Sequence, residues 1–526
     1  MDKITPVSPD FSVTAQLMPQ DVSAVASAGF RSIMCNRPDD EDPDQPSVAT
    51  ISAAAQAEGL AFAHVPIATR DVSPEDARKM QNALDRLPKP ILAYCRSGAR
   101  STTIYNAALA LGGASTSTYD VLIVGGGSAG IACAASLLKR RSDLSIAIVE
   151  PADSHYYQPG WTMVGAGVFA PEATRRAMAD VMPRQVRWIK QAASGFAPDR
   201  NQVELADGSI VSYRTLIVAP GLKLNWDAIP GLTEALGQHG VTSNYRFDLA
   251  SYTRDLVRGM KRGRALFTQP PIPIKCAGAP QKAMYLSCHH WEQNQSLGQI
   301  EVAFHNAGGV LFGVPDYVPA LMAYIERYGI DLQLGSKLVG VDGPSQIARF
   351  ERTVDGKPVV EERPFDMLHA VPPQVAPDFV RNSPLADPSG FVAVDPTTLR
   401  HPEWHNVFAL GDVAATTNAK TAAAARKQAP VVAVNTLAAL DGQQPEAGYD
   451  GYGSCPLTVE RGKIVLAEFG YGGKLLPSFP SWLLDGLKPT RRAWFLKSRM
   501  LPPIYWHGML KGREWLVKPR PAGQDR

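Results

Sequence analysis

The stretch Tyr119-Asp-Val-Leu-Ile-Val-Gly-Gly-Gly-Ser-Ala-Gly130 decides how this chain folds. Its first six residues are mostly apolar and suit a short buried strand, which enters the glycines without a spacer. Gly125, Gly127 and Gly130 then open a segment, 131–139, of helical composition. A strand, a glycine turn and a helix in that order form the phosphate end of a dinucleotide-binding βαβ unit. The first glycine permits the tight turn, the second lets a pyrophosphate approach the backbone, and the third lets helix pack on strand. The amides around Ser128 and Ala129, at the helix start, and the helix dipole then face the anion. A second apolar run, 144–149, ends at Glu150, where a carboxylate is placed to accept from ribose hydroxyls.

Two later segments favour FAD over NAD as the dinucleotide. Thr215-Leu-Ile-Val-Ala-Pro-Gly221 is an apolar strand ending at Pro220 and Gly221, and Val407-Phe-Ala-Leu-Gly-Asp412 is another ending at Gly411 and Asp412. A flavin spans a longer cavity and needs a second anchor. This pairing resembles the two-dinucleotide-domain flavoproteins of the disulfide reductase superfamily, which implies that Asp412 bonds the ribityl and phosphate region. Taken alone, Asp412 also suits a helix N-cap. That superfamily usually carries a second glycine fingerprint for nicotinamide. Here the corresponding strand, Arg264-Ala-Leu-Phe-Thr-Gln269, is followed by Pro270-Pro-Ile-Pro-Ile-Lys-Cys-Ala-Gly278. The prolines remove donors and block a phosphate-cradling turn, so nicotinamide is not expected as a partner.

The chain of 526 residues is too long for one core. Its 53 Lys+Arg against 50 Asp+Glu make no case for nucleic-acid binding. Six scattered cysteines exclude a disulfide framework, and no metal site is expected. No secretory signal is read at the start, and no apolar run approaches the ~18 residues that cross a bilayer. The stretch 487–526 differs from the rest, with ten Lys/Arg against Glu514 and Asp525. Trp482, Trp494, Trp506 and Trp515 fall in or beside it. Ser481-Trp-Leu-Leu, Arg492-Ala-Trp-Phe-Leu-Lys497 and Leu501-Pro-Pro-Ile-Tyr-Trp-His507 have the mixture of an interfacial anchor, aromatic and basic together.

Cys276 and Cys455 each stand in a turn bounded by glycine and proline, whereas Cys35, Cys133 and Cys288 suit inert core positions. Lys275 beside Cys276 is expected to favour its thiolate. From about residue 117 onward the chain resembles the mitochondrial-like sulfide:quinone oxidoreductases. The matching segments are His155-Tyr-Tyr-Gln-Pro-Gly-Trp161, Lys275-Cys-Ala-Gly-Ala-Pro-Gln-Lys282, Leu311-Phe-Gly-Val-Pro-Asp-Tyr317, Gly411-Asp-Val413, Asn418-Ala-Lys-Thr-Ala422 and Tyr449-Asp-Gly-Tyr-Gly-Ser-Cys-Pro456.

The resemblance implies FAD, hydrogen sulfide and a membrane quinone as partners, with Cys276 and Cys455 as the redox centre flanking the flavin. Hydrosulfide would attack a bridge between them, direct or through an extra sulfur, leaving a persulfide and a thiolate. Cys276 is expected to face the flavin and Cys455 to carry the persulfide, which a thiol or sulfite acceptor removes. Gln158 falls in a matching segment and is assigned to the cofactor. Lys420, with Thr421 at the start of a following helix, is expected at the pyrimidine end of the flavin.

In front stands a further unit. Pro90-Ile-Leu-Ala-Tyr94 is a strand, Cys95-Arg-Ser-Gly-Ala-Arg-Ser101 a compact loop, and 102–111 a helix. A cysteine ringed by loop amides at a helix start is an anion cradle with a depressed thiol pKa. Four residues separate Cys95 from Arg100, as in the rhodanese sulfurtransferase loop, whereas cysteine phosphatases space the pair by five. The surrounding sequence, including Gly29-Phe-Arg-Ser-Ile-Met-Cys-Asn-Arg-Pro38, resembles the phosphatase-like beta-lactamase-hydrolase-like family. Persulfide transfer on Cys95 is the favoured expectation, and a cysteine phosphatase stays open.

The expected fold class is α/β. A phosphatase-like three-layer domain (1–113) is followed by a linker (114–118) and an FAD domain (119–235 and 345–445). A degenerate second Rossmann-like domain (236–344) and an amphipathic helical quinone and membrane region (446–526) complete it. Attachment is expected on the cytoplasmic face of the cell membrane, and a homodimer stays open. The competing expectation is a type-II NADH:quinone reductase, which would need the missing nicotinamide turn.

Overall fold

The structure, a computed structural model, describes residues 4–69, 71–112 and 118–522. Of the expected linker only Thr118 lies among them. The chain divides into two units, Met1–Ser117 with Glu204–Val211, and Thr118–Val203 with Ser212–Arg526.

In the first unit, five strands lie in the order Thr5–Ser8, Phe11–Thr14, Ile91–Tyr94, Ser32–Cys35, Ala61–His64. All pairings are parallel except that of the first two strands. The central strand shows why the sheet is sandwiched. Ile91 and Ala93 bury against Met80 and Leu84 of the helix Pro74–Arg86 and Ile104 and Ala108 of the helix Ala99–Gly112. Leu92 and Tyr94 point the other way, against Ile51 and Ala55 of the helix Val48–Ala57. Two apolar faces on a parallel sheet require helices on both sides.

The second unit is built on two parallel sheets. In the first, the strands Arg187–Ile189, Ile146–Val149, Tyr119–Val124, Ile210–Val218 and Val407–Ala409 are neighbours in that order, all parallel. The helix Ser128–Arg140 follows the glycine turn directly, starting earlier than composition alone indicates. It packs with the helix Ala422–Leu440, and Cys133, Leu137, Val431 and Val432 share its core.

The second sheet orders Val241–Thr242, Met367–His369, Gly263–Gln269, Ile300–Asn306 and Asp331–Leu334, again all parallel. Met367–His369 lies beyond the expected limit of this domain at 344. The antiparallel meander Lys337–Asp342, Ile347–Val354, Lys357–Pro364 intervenes in sequence, and three buried residues are too few to show a period. An antiparallel hairpin, Gly453–Glu460 with Lys463–Phe469, completes the frame of the site.

The C-terminal stretch departs from the expected amphipathic helical tail. A five-residue helix, Arg491–Phe495, runs on in irregular helical turns through 496–511. Tyr505, Trp506, Met509 and Leu510 are buried in the core of the dinucleotide-binding sheet. Trp506 packs with His155, Tyr157 and Tyr505, under the Arg176 guanidinium. Aromatic and basic residues suit an anchor and a cation–π core contact equally, and composition does not separate the two. Trp482, Phe495, Trp515 and Leu516 remain exposed. No helix among the described residues is long and apolar enough to cross a membrane.

Candidate functional site

The glycine turn is as tight as its sequence demands. Gly125 has φ +109°, and a Cβ there would lie 2.4 Å from the Ala219 carbonyl oxygen. A Cβ on Gly130 would lie 2.0 Å from the Gly125 oxygen, so neither position admits a side chain. Glu150 also bonds the turn itself. Its carboxylate accepts from the Gly126 amide at 2.8 Å and the Ala152 amide at 2.9 Å. It thereby ties the end of the second strand to the glycine turn.

A cavity of about 530 Å³ brings the remaining expected residues together. Gly127, Ser128 and Ala129 line one part, Pro220 and Gly221 another, and Gly411, Asp412, Lys420, Thr421, Gln158 and Cys276 the rest. The helix Ala422–Leu440 presents its N-terminus here, capped by Thr421 Oγ1 accepting from the Ala424 amide at 3.1 Å. Burial raises the Asp412 carboxyl, opposed by the nearby ammonium groups of Lys420 and Lys275. Lys420 is buried, with Nζ donating to the Ala414 carbonyl at 2.8 Å, and burial lowers its pKa.

A long ligand with both polar and apolar parts fits this space. Trp161 Nε1, Thr162 Oγ1 and Asn244 Oδ1 are buried polar atoms on lining residues, and none has a hydrogen-bond partner among the described residues. Buried polar groups left so are costly unless something else satisfies them. FAD supplies both the pyrophosphate for the glycine turn and ring heteroatoms for such groups.

At the wall of the cavity the two cysteines meet, with Cys276 Sγ 3.4 Å from Cys455 Sγ. They arrive from separate elements. Cys276 sits in the turn before the helix Ala279–Gln293, in a left-handed conformation at φ +50° that non-glycine residues rarely hold. Its amide donates to the Lys420 carbonyl at 2.7 Å, which helps hold it there. Cys455 comes from the hairpin strand Gly453–Glu460. A Cβ on Gly278 would lie 2.5 Å from Cys455 Sγ and 2.4 Å from Leu457 Cδ2, so this glycine is what lets the sulfurs approach.

Lys275 interacts with the Cys276 thiolate through its charge, while its hydrogen bond goes to another residue. Lys275 Nζ donates to Gln158 Oε1 at 2.7 Å and lies over the Trp161 and Tyr245 rings, its pKa lowered by burial to about 8. Lys282 instead places its ammonium 3.0 Å from Cys276 Sγ. A second buried lysine, Lys497, donates to Thr458 Oγ1 at 2.7 Å and the Pro456 carbonyl at 3.2 Å. The Cys276 thiol falls well below its ordinary value, through the Cys455 hydrogen bond and then, against burial, the Lys282 charge. Cys455 is correspondingly raised, so one thiolate is shared by the pair. Burial drives Lys497 well down, and Lys282 repels it further. Lys282 belongs to a segment quoted for the resemblance, whereas nothing in the sequence around Lys497 ties it to the cysteines.

The first unit holds its own nucleophile. Cys95 is buried at the end of the strand Ile91–Tyr94, and the Gly98 amide donates to its Sγ at 3.1 Å. Burial raises this thiol, yet amides of Ser101, Ser97 and Arg100 and the Ser101 hydroxyl bring it below the ordinary value. Arg100 is held by Glu41 through two hydrogen bonds of 2.7 Å and by the Ile67 carbonyl at 2.8 Å. Glu41 also accepts from Arg37 Nε at 2.6 Å, and both partners hold its carboxyl at about 2. Neither Glu41 nor Arg37 is a sequence candidate, because the topology alone brings them to the loop.

Comparison with known proteins matches the geometry. Residues 3–112 match the phosphatase-like domain of beta-lactamase hydrolase-like proteins, and residues 119–258 the pyridine nucleotide-disulphide oxidoreductase family. The mitochondrial sulfide:quinone oxidoreductase of Dictyostelium discoideum is 40% identical over 403 residues, 76% of this chain and 87% of that protein. Its counterpart in Mus musculus is 38% identical, over 75% of this chain and 87% of that protein. The structure of the Aquifex aeolicus sulfide:quinone oxidoreductase shares the fold at 18% identity, with TM-score 0.64 over 76% of this chain and 96% of that one. With identity of this order over three quarters of its length, and a cavity built for FAD, the chain belongs to the flavin-dependent sulfide:quinone oxidoreductase family, with a phosphatase-like domain placed in front.

Proposed function

We propose that the chain oxidises sulfide at Cys276 and Cys455 and passes the electrons through FAD to a quinone. The observation that carries this reading is the pair of sulfurs at 3.4 Å beside a buried ammonium, on the wall of a dinucleotide-sized cavity. A bridge of ~2 Å needs only a small closing movement from that separation. Hydrosulfide attacks the bridge at Cys455, forming a persulfide there and releasing Cys276 as a thiolate. The Lys282 charge stabilises that thiolate, and the Lys497 amine lies beside it. A thiol or sulfite removes the outer sulfur, and the two thiols close again, releasing two electrons. Bound FAD would supply the two-electron carrier between this pair and the quinone.

Cys276 lines the cavity and Cys455 is buried behind it, which supports Cys276 as the flavin-facing sulfur. Gly127, Ser128, Gly411, Asp412 and Thr421 would hold the pyrophosphate and ribityl parts, with Lys420 and the helix Ala422–Leu440 beside the ring. The apolar end of the cavity, with Leu466, Leu476, Phe479, Leu496 and Leu501, suits a quinone. The exposed Trp482, Leu483, Phe495 and Met500 lie in the same stretch of chain and support peripheral attachment to a membrane.

The depressed Cys95 thiol in its amide cradle supports a sulfurtransferase that collects the sulfane sulfur leaving Cys455. The match to a phosphatase-like domain favours a second reading of this unit, hydrolysis of phosphate monoesters. Cys95→Ser should alter the sulfur products and leave flavin bleaching by sulfide unchanged; identical products from both proteins would refute the transfer.

The test of the main reading is an anaerobic titration of the flavin spectrum with sulfide. The wild type should bleach promptly, Cys276→Ser and Cys455→Ser should not, and a soluble quinone should restore the oxidised band. Bleaching by NADH with indifference to sulfide would overturn it.

A further inference from the structure

We propose that Glu468 is the residue through which the quinone receives its proton, with Ser478 its link to solvent. The inference rests on the reading that quinone occupies the apolar end of the cavity. Strand alternation in the hairpin sets up the arrangement. Cys455, Leu457, Val465 and Ala467 turn into the core with the second sheet, whereas Ser454, Pro456, Leu466 and Glu468 line the cavity. Sulfur chemistry and this carboxylate are thereby placed on opposite faces of one two-stranded ribbon.

Glu468 is 5% exposed. Its Oε1 accepts from the Tyr452 hydroxyl at 2.6 Å and the Ser478 hydroxyl at 2.5 Å, and its Oε2 from the Ser478 amide at 3.1 Å. Ser478 is exposed, and its hydroxyl also lies 3.2 Å from that of Tyr452. A continuous chain of oxygens therefore runs from solvent to the wall of a cavity lined by Leu466, Leu476, Phe479 and Leu496 as well as Arg426, Lys427 and Lys497, with Lys427 over the Tyr452 ring. A buried carboxylate is costly even with three donors to satisfy it, where a neutral amide could accept the same bonds. Its acidity is what an amide lacks.

A quinone that takes two electrons and one proton from the reduced cofactor becomes a hydroquinone monoanion. Its second O–H forms with a proton that the Glu468 carboxylate takes from water through Ser478 and passes on, which restores the carboxylate. Electrons, protons and oxygens balance with no further reactant.

The experiment is rapid-mixing reoxidation of the sulfide-reduced holoenzyme by a soluble quinone and, separately, by ferricyanide, which accepts electrons without a proton. Glu468→Gln should slow quinone reoxidation about a hundred-fold, within the range for a lost general acid, and leave ferricyanide reoxidation within about two-fold. Ser478→Ala should slow the quinone reaction about ten-fold and enlarge its solvent deuterium isotope effect, because the proton wire is cut while the carboxyl stays. Equal slowing with both acceptors, or none, would overturn the proposal. Leu496→Trp and Leu501→Trp, which fill the apolar end, should raise the quinone KM. An unchanged KM removes the quinone reading together with the proposal, whereas a raised KM with a fast Glu468→Gln removes the proton role alone.

Discussion

Cys276 holds a left-handed backbone that costs a non-glycine residue free energy, and the surrounding bonds maintain it. The Lys420 carbonyl holds its amide, and Tyr245 Oη donates to the Lys275 carbonyl at 3.0 Å and the Cys276 carbonyl at 3.2 Å. Gly278 is the complementary device, and Gly278→Ala should force the sulfurs apart. Overpacking of this kind costs about 1–3 kcal/mol, so the variant should melt earlier and bleach slowly with sulfide. Lys282→Met removes the charge at 3.0 Å from Cys276 and should lower the rate of sulfide bleaching about ten-fold, as the thiolate fraction falls. An unchanged rate would place the stabilising charge elsewhere. At Cys95 the loop amides lower the thiol pKa, so its thiolate persists to lower pH than that of a free cysteine. Site-resolved alkylation should show Cys95 reacting to lower pH than a free cysteine does. Burial raises Cys133 and Cys288, which should stay unreacted in the same samples.

Among the elements, the hairpin and the C-terminal stretch show how differently sequence speaks of burial. The hairpin alternation is visible once a strand is assumed, but which face meets the cavity depends on the sheet behind it. In the C-terminal stretch, periodicity has no purchase, because short helical turns of changing pitch bury Lys497, Tyr505 and Trp506 and expose Phe495. The exposed side chains make the membrane reading testable. Trp482→Ser with Phe495→Ser should weaken sedimentation with anionic vesicles about ten-fold or more, since each large apolar side chain contributes ~1.5–3 kcal/mol on burial. Sulfide bleaching of the detergent-solubilised protein should not change. Vesicle binding equal to the wild type would assign these residues to contacts other than lipid.

For the molecule as a whole, buried neutral histidines set its behaviour in acid. His155, under Tyr505 and Trp506, and His369, inside the second sheet, are each lowered by burial to about 4 from the ordinary 6.5. A group whose folded pKa is depressed binds its proton first in the unfolded chain. Stability from these two is therefore complete above pH 6.5 and is lost as pH falls towards 4, at up to ~1.4 kcal/mol per unit for each. Thermal midpoints should fall steadily between pH 6.5 and 4.5, and less steeply in His155→Gln. A flat profile across that window would remove the two histidines as the cause.

Dinucleotide binding was legible in the sequence because a glycine turn between strand and helix is a local requirement, met by neighbours in the chain. The missing nicotinamide turn was legible for the same reason, since prolines act where they stand. Cys276 and Cys455 could be singled out by their turns, and Cys95 by its loop spacing. That Lys282 bonds the sulfur, that Glu150 bonds the Gly126 amide, that Glu41 grips Arg100, and that Lys497 lies beside the cysteines belong to the tertiary structure alone. Each depends on where side chains from separate elements point after the sheets have packed, and charge in a buried site is decided by those distances, not by position along the chain.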